Sequence, residues 1–235
     1  MRIVLKVSGE SLRNGDPIAT EMLESLQKEI KMLMDADHEI LLVLGGGTFW
    51  RGRNGLEISS SISDQMGMLG SIMNAMALGD YLEEHEVSSR VFCAYEIPGV
   101  VKIYNYYEIS KALRNKHVVV LGGGLGIPNF STDMVTIEKA IQYEADMIIM
   151  AKNVDGIYDK DPRLGDAKKY EEMTHAELLN IQMNSGIDKL GVMDLEAMAA
   201  LCKHKIPLYL YNAKDPNGLR NFVNNQKTGT LVITK

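Results

Sequence analysis

Lys6 is the residue from which chemistry is most directly read. It stands in Lys6-Val7-Ser8-Gly9, just after the apolar run Ile3 to Leu5, near the end of a predicted strand. A buried amine without a partner is costly, whereas one held against phosphoryl oxygens places a fixed positive charge on a transferring group. The plainer alternative is an edge-strand lysine that snorkels to water. Two further runs end the same way: Ile40–Leu44 runs into Gly45-Gly46-Gly47, and Val118–Leu121 into Gly122-Gly123-Gly124-Leu125-Gly126. Glycine at such a turn lets backbone N–H groups approach an anion, and the following helix points its positive end at the same place. One such turn is common. Three in one chain, one of them with a lysine, point to a site that holds several phosphates.

Other candidates have two readings each. Arg51, past the second glycine turn, is either a bidentate phosphate contact or a surface arginine. Asp64, Asp133 and Asp194 stand near predicted helix starts, where N-capping explains them as well as chemistry does. Asp133 beside a phosphate turn would instead orient the lysine. Tyr158 and Asp161 would flank a purine and a ribose or metal, or shape a turn. The methionines at 66, 68, 73 and 76 read as packing, at a subunit interface or in the core.

Several classes are disfavoured. The segment Gly47-x-x-x-x-Gly52-Arg53-Asn54 lacks the Lys-[Ser/Thr] pair of a P-loop, and no glycine run completes the dinucleotide fingerprint. Cys93 and Cys202 have no metal-ligand spacing and read as free thiols, and the five histidines are scattered. A net charge of −6 argues against general nucleic-acid binding. With no run long enough for a membrane span and no leader pattern, the expectation is a soluble, cytoplasmic protein without a membrane partner.

The elements that must carry these residues alternate. Strands are predicted over Arg2–Val7, Ile40–Leu44, Val87–Ala94, His117–Leu121, Met147–Ala151, Pro207–Tyr211 and Thr230–Thr234, with a short one at Ile157–Tyr158 before Asp161-Pro162. Helices are predicted after the Asp16-Pro17 cap, from Asp64 to Glu84 behind a serine-rich lead, over Tyr107–Arg114, from Thr132-Asp133 to Ala145, over Leu190–His204 and over Asn217–Val223. Thr174-x-x-Glu177 has the form of a capping box and opens a short helix, and 180–189 reads as a mobile loop. This alternation implies an α/β fold with a mainly parallel sheet covered on both faces, in a single domain spanning 1–235. Residues up to about 150 form an acceptor-binding part, and those from about 151 a nucleotide-binding part.

On these residues the chain resembles the bacterial UMP kinases of the amino acid kinase superfamily. The marks are Lys6-Val-Ser-Gly-Glu10, Gly45-Gly-Gly-Thr-Phe-Trp-Arg-Gly52, Asp64-Gln-Met-Gly-Met-Leu69 with Met73-Asn74, and Gly124-Leu-Gly-Ile-Pro-Asn-Phe-Ser-Thr-Asp133. Val154-Asp-Gly-Ile-Tyr-Asp-Lys-Asp-Pro162, Val192-Met-Asp194 and Gly229-Thr-Leu231 follow. The resemblance implies an α/β/α sandwich and transfer of the ATP γ-phosphoryl group to UMP, giving UDP and ADP for pyrimidine nucleotide biosynthesis. Mg2+ would arrive with ATP, at no dedicated protein metal site. A homohexamer with GTP and UTP as effectors is also implied.

By the same resemblance, Lys6, Val7, Ser8 and Gly9 meet ATP phosphates, with Gly47 and Arg51. Lys152, Asn153, Tyr158 and Asp161 hold the adenine nucleotide. Gly46 and Asp64 meet UMP, whose pocket is lined by Leu125, Gly126, Ile127, Pro128, Asn129, Phe130, Ser131 and Thr132. Lys6, Arg51 and Asp133 are the catalytic set, with Asp133 orienting Lys6. The chain departs from the family at the acceptor loop: Leu125 replaces a threonine, Ile127 an asparagine, Asn129 a phenylalanine, and Met134-Val135-Thr136 a run of small residues. That leaves two other expectations beside UMP: a different small acceptor, or a weakly catalytic paralogue that binds nucleotide or another oxyanion.

Overall fold

Alternation along strand β1 (Arg2–Val7) sets the layers. Ile3, Leu5 and Val7 enter one apolar cluster, and Val4 enters the other. A strand buried on both faces needs a layer of helices on each. The computed structural model describes residues 1–50, 57–161, 165–185, 192–215, 217–224, 226 and 228–234. In chain order the other elements are α1 (Thr20–Asp35), β2 (Glu39–Leu44), α2 (Ser60–Glu84), β3 (Ser89–Cys93), β4 (Lys102–Ile103), α3 (Tyr106–Arg114), β5 (Val118–Gly122), α4 (Thr132–Gln142) and β6 (Met147–Lys152). A hairpin of β7 (Ile157–Tyr158) and β8 (Lys169–Tyr170) follows, then β9 (Glu172–Thr174), α5 (His175–Ser185), α6 (Leu195–His204), β10 (Leu208–Asn212), α7 (Gly218–Val223) and β11 (Thr230–Ile233).

Among the described residues nine strands make one sheet in the order β4-β3-β5-β2-β1-β6-β10-β11-β9. Every pairing is parallel except β10 with β11. Leu26, Ile30 and Leu33 of α1, Leu78 and Leu82 of α2, and Leu219 of α7 cover one face. Ile109 and Leu113 of α3, Val135 and Ala140 of α4, and Met198 and Leu201 of α6 cover the other. The expected three-layer sandwich with a mainly parallel sheet is what the chain forms. Cys93 and Cys202 are free thiols, and no described helix is long and apolar enough to cross a membrane.

Several local expectations are corrected. Helix α1 begins at Thr20 behind Ala19, which gives no side-chain cap, and not at the Asp16-Pro17 signal. The Ala19 N–H donates to Leu12 O at 2.9 Å, so a tertiary tie to the preceding turn fixes the helix start. The serine lead belongs to α2 itself, which Ser59 caps. Residues 180–185, read as loop, continue α5 behind its reciprocal Thr174–Glu177 capping box. Helix α6 begins at Leu195, where Asp194 accepts the Ala197 N–H at 2.9 Å, later than the expected Leu190. Strands β4, β8 and β9 went unpredicted because two or three residues carry no readable period. Arg51, Gly52, Pro162 and 186–191 lie outside the described residues.

Candidate active site

Strand order reverses beside β1: β2 lies on one side of it and β6 on the other. In open α/β sheets the crevice at the carboxyl ends of strands flanking such a point receives ligands. Lys6, near the end of β1, and Lys152, the last residue of β6, both stand there. Lys6 follows the phase of Val4, so it projects to the face covered by α4, whose first turn carries Asp133. Lys152 Nζ donates to Asp133 Oδ2 at 2.6 Å, and Lys6 Nζ lies 3.2 Å from Oδ1. The Oδ1 contact is an ion pair without hydrogen-bond alignment, so the Lys6 protons remain available to another acceptor.

Burial opposes ionisation of Asp133, yet Lys6 and Lys152 together hold its carboxyl below the usual carboxylate range. Burial, followed by repulsion from Lys6, brings the Lys152 amine down to about 8. Two cations around one carboxylate leave an excess positive charge in a nearly buried crevice. That charge suits an incoming polyanion.

The first two glycine turns pack directly on each other. A side chain at Gly9 would meet Gly45 O at 2.6 Å and Gly47 N at 2.7 Å, and one at Gly46 would meet Gly67 O of α2 at 1.8 Å. Neither position admits a Cβ. Asn74, fully buried on α2, fixes this arrangement by donating to Gly45 O at 2.8 Å and to Thr48 Oγ1 at 3.2 Å. Thr48 in turn donates to Gly9 O.

Next to the second turn opens a cavity of about 220 Å3, bordered by Gly46, Gly47, Trp50, Asp64, Met68 and Ser71 on one side. Gly124, Ile127, Phe130, Ser131 and Thr132 border it on the other. Trp50 Nε1 donates to Ser63 Oγ at 2.8 Å, and Asp64 Oδ2 accepts the Asn129 N–H at 2.7 Å. Asp64 thereby joins α2 to the loop across the cavity. Asn129 holds a left-handed φ of 69°. Ser131 caps α4 and also donates to Asp194, which ties the start of α4 to that of α6.

The acceptor-loop departures separate here. Leu125 turns toward the core and packs against it, whereas Ile127 is 52% exposed and borders the cavity. Of Leu125 and Ile127, only Ile127 faces the candidate acceptor.

Not every expected donor contact gathers with the lysines. Ser8 and Asn153 border a cavity of about 320 Å3 that also takes in Met22, Leu26, Glu29, Tyr211 and Asp215. Val7, Ala151 and Tyr211 belong to the α1 face of the sheet, so this cavity lies across the sheet from Lys6. Tyr158 lies on β7 with its hydroxyl on Asp155 at 2.8 Å. Asp161 lies just beyond that short strand.

In the α1-side cavity, burial and then Asp215 push the Glu29 carboxyl up to about 7. Between its ordinary 4.5 and 7 the folded chain holds a proton that the unfolded chain releases. Stability therefore falls as pH rises through that window. Glu29→Gln is expected to raise stability at pH 7.5 by about 2 kcal/mol, after discounting for partial exposure, and to change little at pH 4.5. Thermal melts at the two pH values check this; an equal shift at both would refute it.

The sequence pattern of the amino acid kinase family matches residues 1–212. The uridylate kinase of Actinobacillus pleuropneumoniae serotype 5b (strain L20) is 36% identical over 236 residues, 98% of this chain and 97% of that protein. That of Haemophilus ducreyi has the same identity and coverage. The chain belongs to the amino acid kinase family. Among solved structures, UMP kinase from Ureaplasma parvum superposes with a TM-score of 0.90 at 30% identity, covering 99% of this chain and 98% of that one. The Bacillus anthracis UMP kinase gives 0.89 at 28% identity, covering 99% and 95%. Within the amino acid kinase family the chain thus groups with the bacterial uridylate kinases along its whole length.

Parts of the site carry little local signal in the sequence. Lys152 is expected as a nucleotide contact, and its amine also shares Asp133 with Lys6. Asn74 entered only as a mark of resemblance. Ser71 and Tyr104 received no role, although both hold the third glycine turn. A buried asparagine within an apolar helix was the one available signal.

Proposed function

We propose that this chain is a UMP kinase, which transfers the γ-phosphoryl group of ATP to UMP and releases UDP and ADP. The observation that carries the reading is the Lys6–Asp133–Lys152 group at the switch point, beside a cavity bordered by Gly46, Asp64 and Phe130–Thr132. Full-length likeness to uridylate kinases supports UMP over another acceptor and over a weakly catalytic paralogue.

In the proposed reaction a phosphate oxygen of UMP attacks the γ-phosphorus in line, and the bond to the β–γ bridging oxygen of ATP breaks. The attacking oxygen is already anionic, so no general base is required. Lys6, aimed by Asp133, neutralises charge on the transferring group, and Lys152 adds a second cation. Backbone N–H groups of the glycine turns and the start of α4 supply the remaining polarity. Arg51 completes the catalytic set by resemblance.

Mg2+ bound with ATP would neutralise charge on the phosphate oxygens. Both Asp133 oxygens face lysines, so the ion would arrive with the nucleotide. Phosphate oxygens would then hold it.

Residues up to about 150 take the acceptor and those from about 151 the nucleotide, with Tyr158 and Asp161 on the nucleotide side. Assembly as a homohexamer is part of this reading. Its support is an exposed apolar ridge on α2, where Ile62, Leu69 and Met73 are each at least 50% exposed. A cytoplasmic setting, with GTP and UTP as effectors, completes it.

The test is ADP release from Mg·ATP with UMP, CMP, dUMP and a panel of small acids. Turnover with UMP at roughly 1–100 per second is expected. Turnover confined to another acceptor, or nucleotide binding without turnover, would overturn the reading.

A further inference from the structure

Three residues of the third glycine turn hold left-handed backbone: Gly123 at φ 83°, Gly124 at 61° and Gly126 at 79°. Such a turn lacks the regular ladder of a strand or helix, so its shape depends on what its peptide groups bind. The Gly123 N–H donates to Ser71 Oγ at 2.7 Å, and Ser71 donates onward to Met68 O. The Tyr104 hydroxyl reaches Gly122 O and Gly124 O, the latter at 3.0 Å. Gly122 O has a second donor in the Ala94 N–H at 3.2 Å. Gly124 borders the acceptor cavity.

The ring of Tyr104 is gripped as well. Its own N–H donates to Cys93 O at 2.8 Å, and the Lys139 ammonium of α4 lies 4.2 Å above the ring centre. Burial keeps the phenol protonated at every ordinary pH, so it meets the two carbonyls as a donor. Tyr104 therefore touches the beginning of the loop at residues 122–131 and, through Lys139, the helix into which that loop runs.

We infer that Tyr104 is a positioning residue for the acceptor, its hydroxyl setting the course of the Gly122–Gly126 turn that carries one wall of the UMP cavity. This assignment rests on the proposal that UMP is the acceptor. The described hydrogen bonds of the Tyr104 hydroxyl both go to the third glycine turn, so its removal is expected to fall on the acceptor.

Tyr104→Phe keeps the ring under Lys139 and removes only the hydroxyl. The expected result is a roughly tenfold rise in both KM and Kd for UMP, with KM for ATP and kcat within about threefold of the parent. Steady-state kinetics give the first set, and fluorescence of the single tryptophan, Trp50 at the cavity edge, gives Kd without turnover. An unchanged UMP KM and Kd, or equal rises for UMP and ATP, would overturn the assignment. A parent protein that neither binds nor phosphorylates UMP would overturn the functional proposal, and this assignment with it.

Discussion

Lys6→Ala is expected to lower kcat about a thousandfold while leaving Kd for UMP within about twofold. The asymmetry follows from where Lys6 stands. Its amine pairs with Asp133, whereas the acceptor cavity beside that pair is bordered by Asp64, Ile127 and Phe130. Its one described anion contact is the ion pair to Asp133 Oδ1, and that pair is not aligned as a hydrogen bond. An ammonium so placed interacts most strongly with charge that develops on a transferring phosphoryl group.

The folded state should tolerate the change, because Asp133 keeps the 2.6 Å bond from Lys152. Circular dichroism and melting should therefore show a native protein with a rate defect. Lys6→Arg should not restore the rate, since a planar fork replaces a compact charge at a buried position. A kcat within tenfold of the parent for Lys6→Ala would remove Lys6 from the catalytic set. A defect confined to KM for UMP would place Lys6 on the acceptor instead.

What the chain announces locally is its scaffold. Runs such as Ile3–Leu5 and Val118–Leu121 are apolar throughout, as strands buried on both faces must be, and each leads to a glycine where two backbones meet, Gly9 and Gly122. The close approach of Gly9 to Gly45 and Gly47 explains why two turns 36 or more positions apart both need glycine. The pairing itself cannot be read from either turn alone.

Side chains acting across long separations were the least legible. Lys152 looks like the polar end of a strand until β6 is laid beside β1, which brings its amine to Asp133. Tyr104 sits in a segment with no period, and its partners at 122 and 124 are reached only when β3 places β4 near the end of β5. From its neighbours Asp133 is readable both as a helix start and, beside a phosphate turn, as a carboxylate that orients the lysine. Its capping role in fact belongs to Ser131, which leaves both Asp133 oxygens to the lysines. Local signals misled where tertiary contacts overrode them, as at Asp16-Pro17.

Asp133→Asn should reveal the balance of charge that the crevice normally hides. Removing the carboxylate leaves two ammonium groups nearly buried and facing each other. Breaking a buried ion pair from one side commonly costs about 3–5 kcal/mol, and these side chains keep 10–12% of their surface exposed, so the lower figure applies. For a chain of this size that is a fall in Tm of roughly 6–12 °C.

The loss should be bounded in pH on both sides. Asp133 has a folded pKa below its ordinary value, so its contribution is present above that value and lost as pH falls toward the folded one. Lys152, already down to about 8 with the carboxylate in place, must fall further without it. A lysine depressed in the folded state penalises folding while it is charged, and stability recovers as pH rises toward its unfolded value. The parent-minus-variant difference in Tm should therefore be largest just above pH 5, shrink as pH rises toward about 8, where Lys152 loses its proton in the parent as well, and shrink toward pH 3. A difference independent of pH would mean that Asp133 acts through packing alone.

Two additions make the same charge argument sharper. Pyrophosphate should raise the Tm of Asp133→Asn more than that of the parent, because it supplies the anion that the variant lacks. Adding Lys152→Met to Asp133→Asn should recover part of the lost stability, since it removes one of the two opposed cations. If the double variant were less stable than Asp133→Asn, repulsion between Lys6 and Lys152 would not be what the carboxylate relieves.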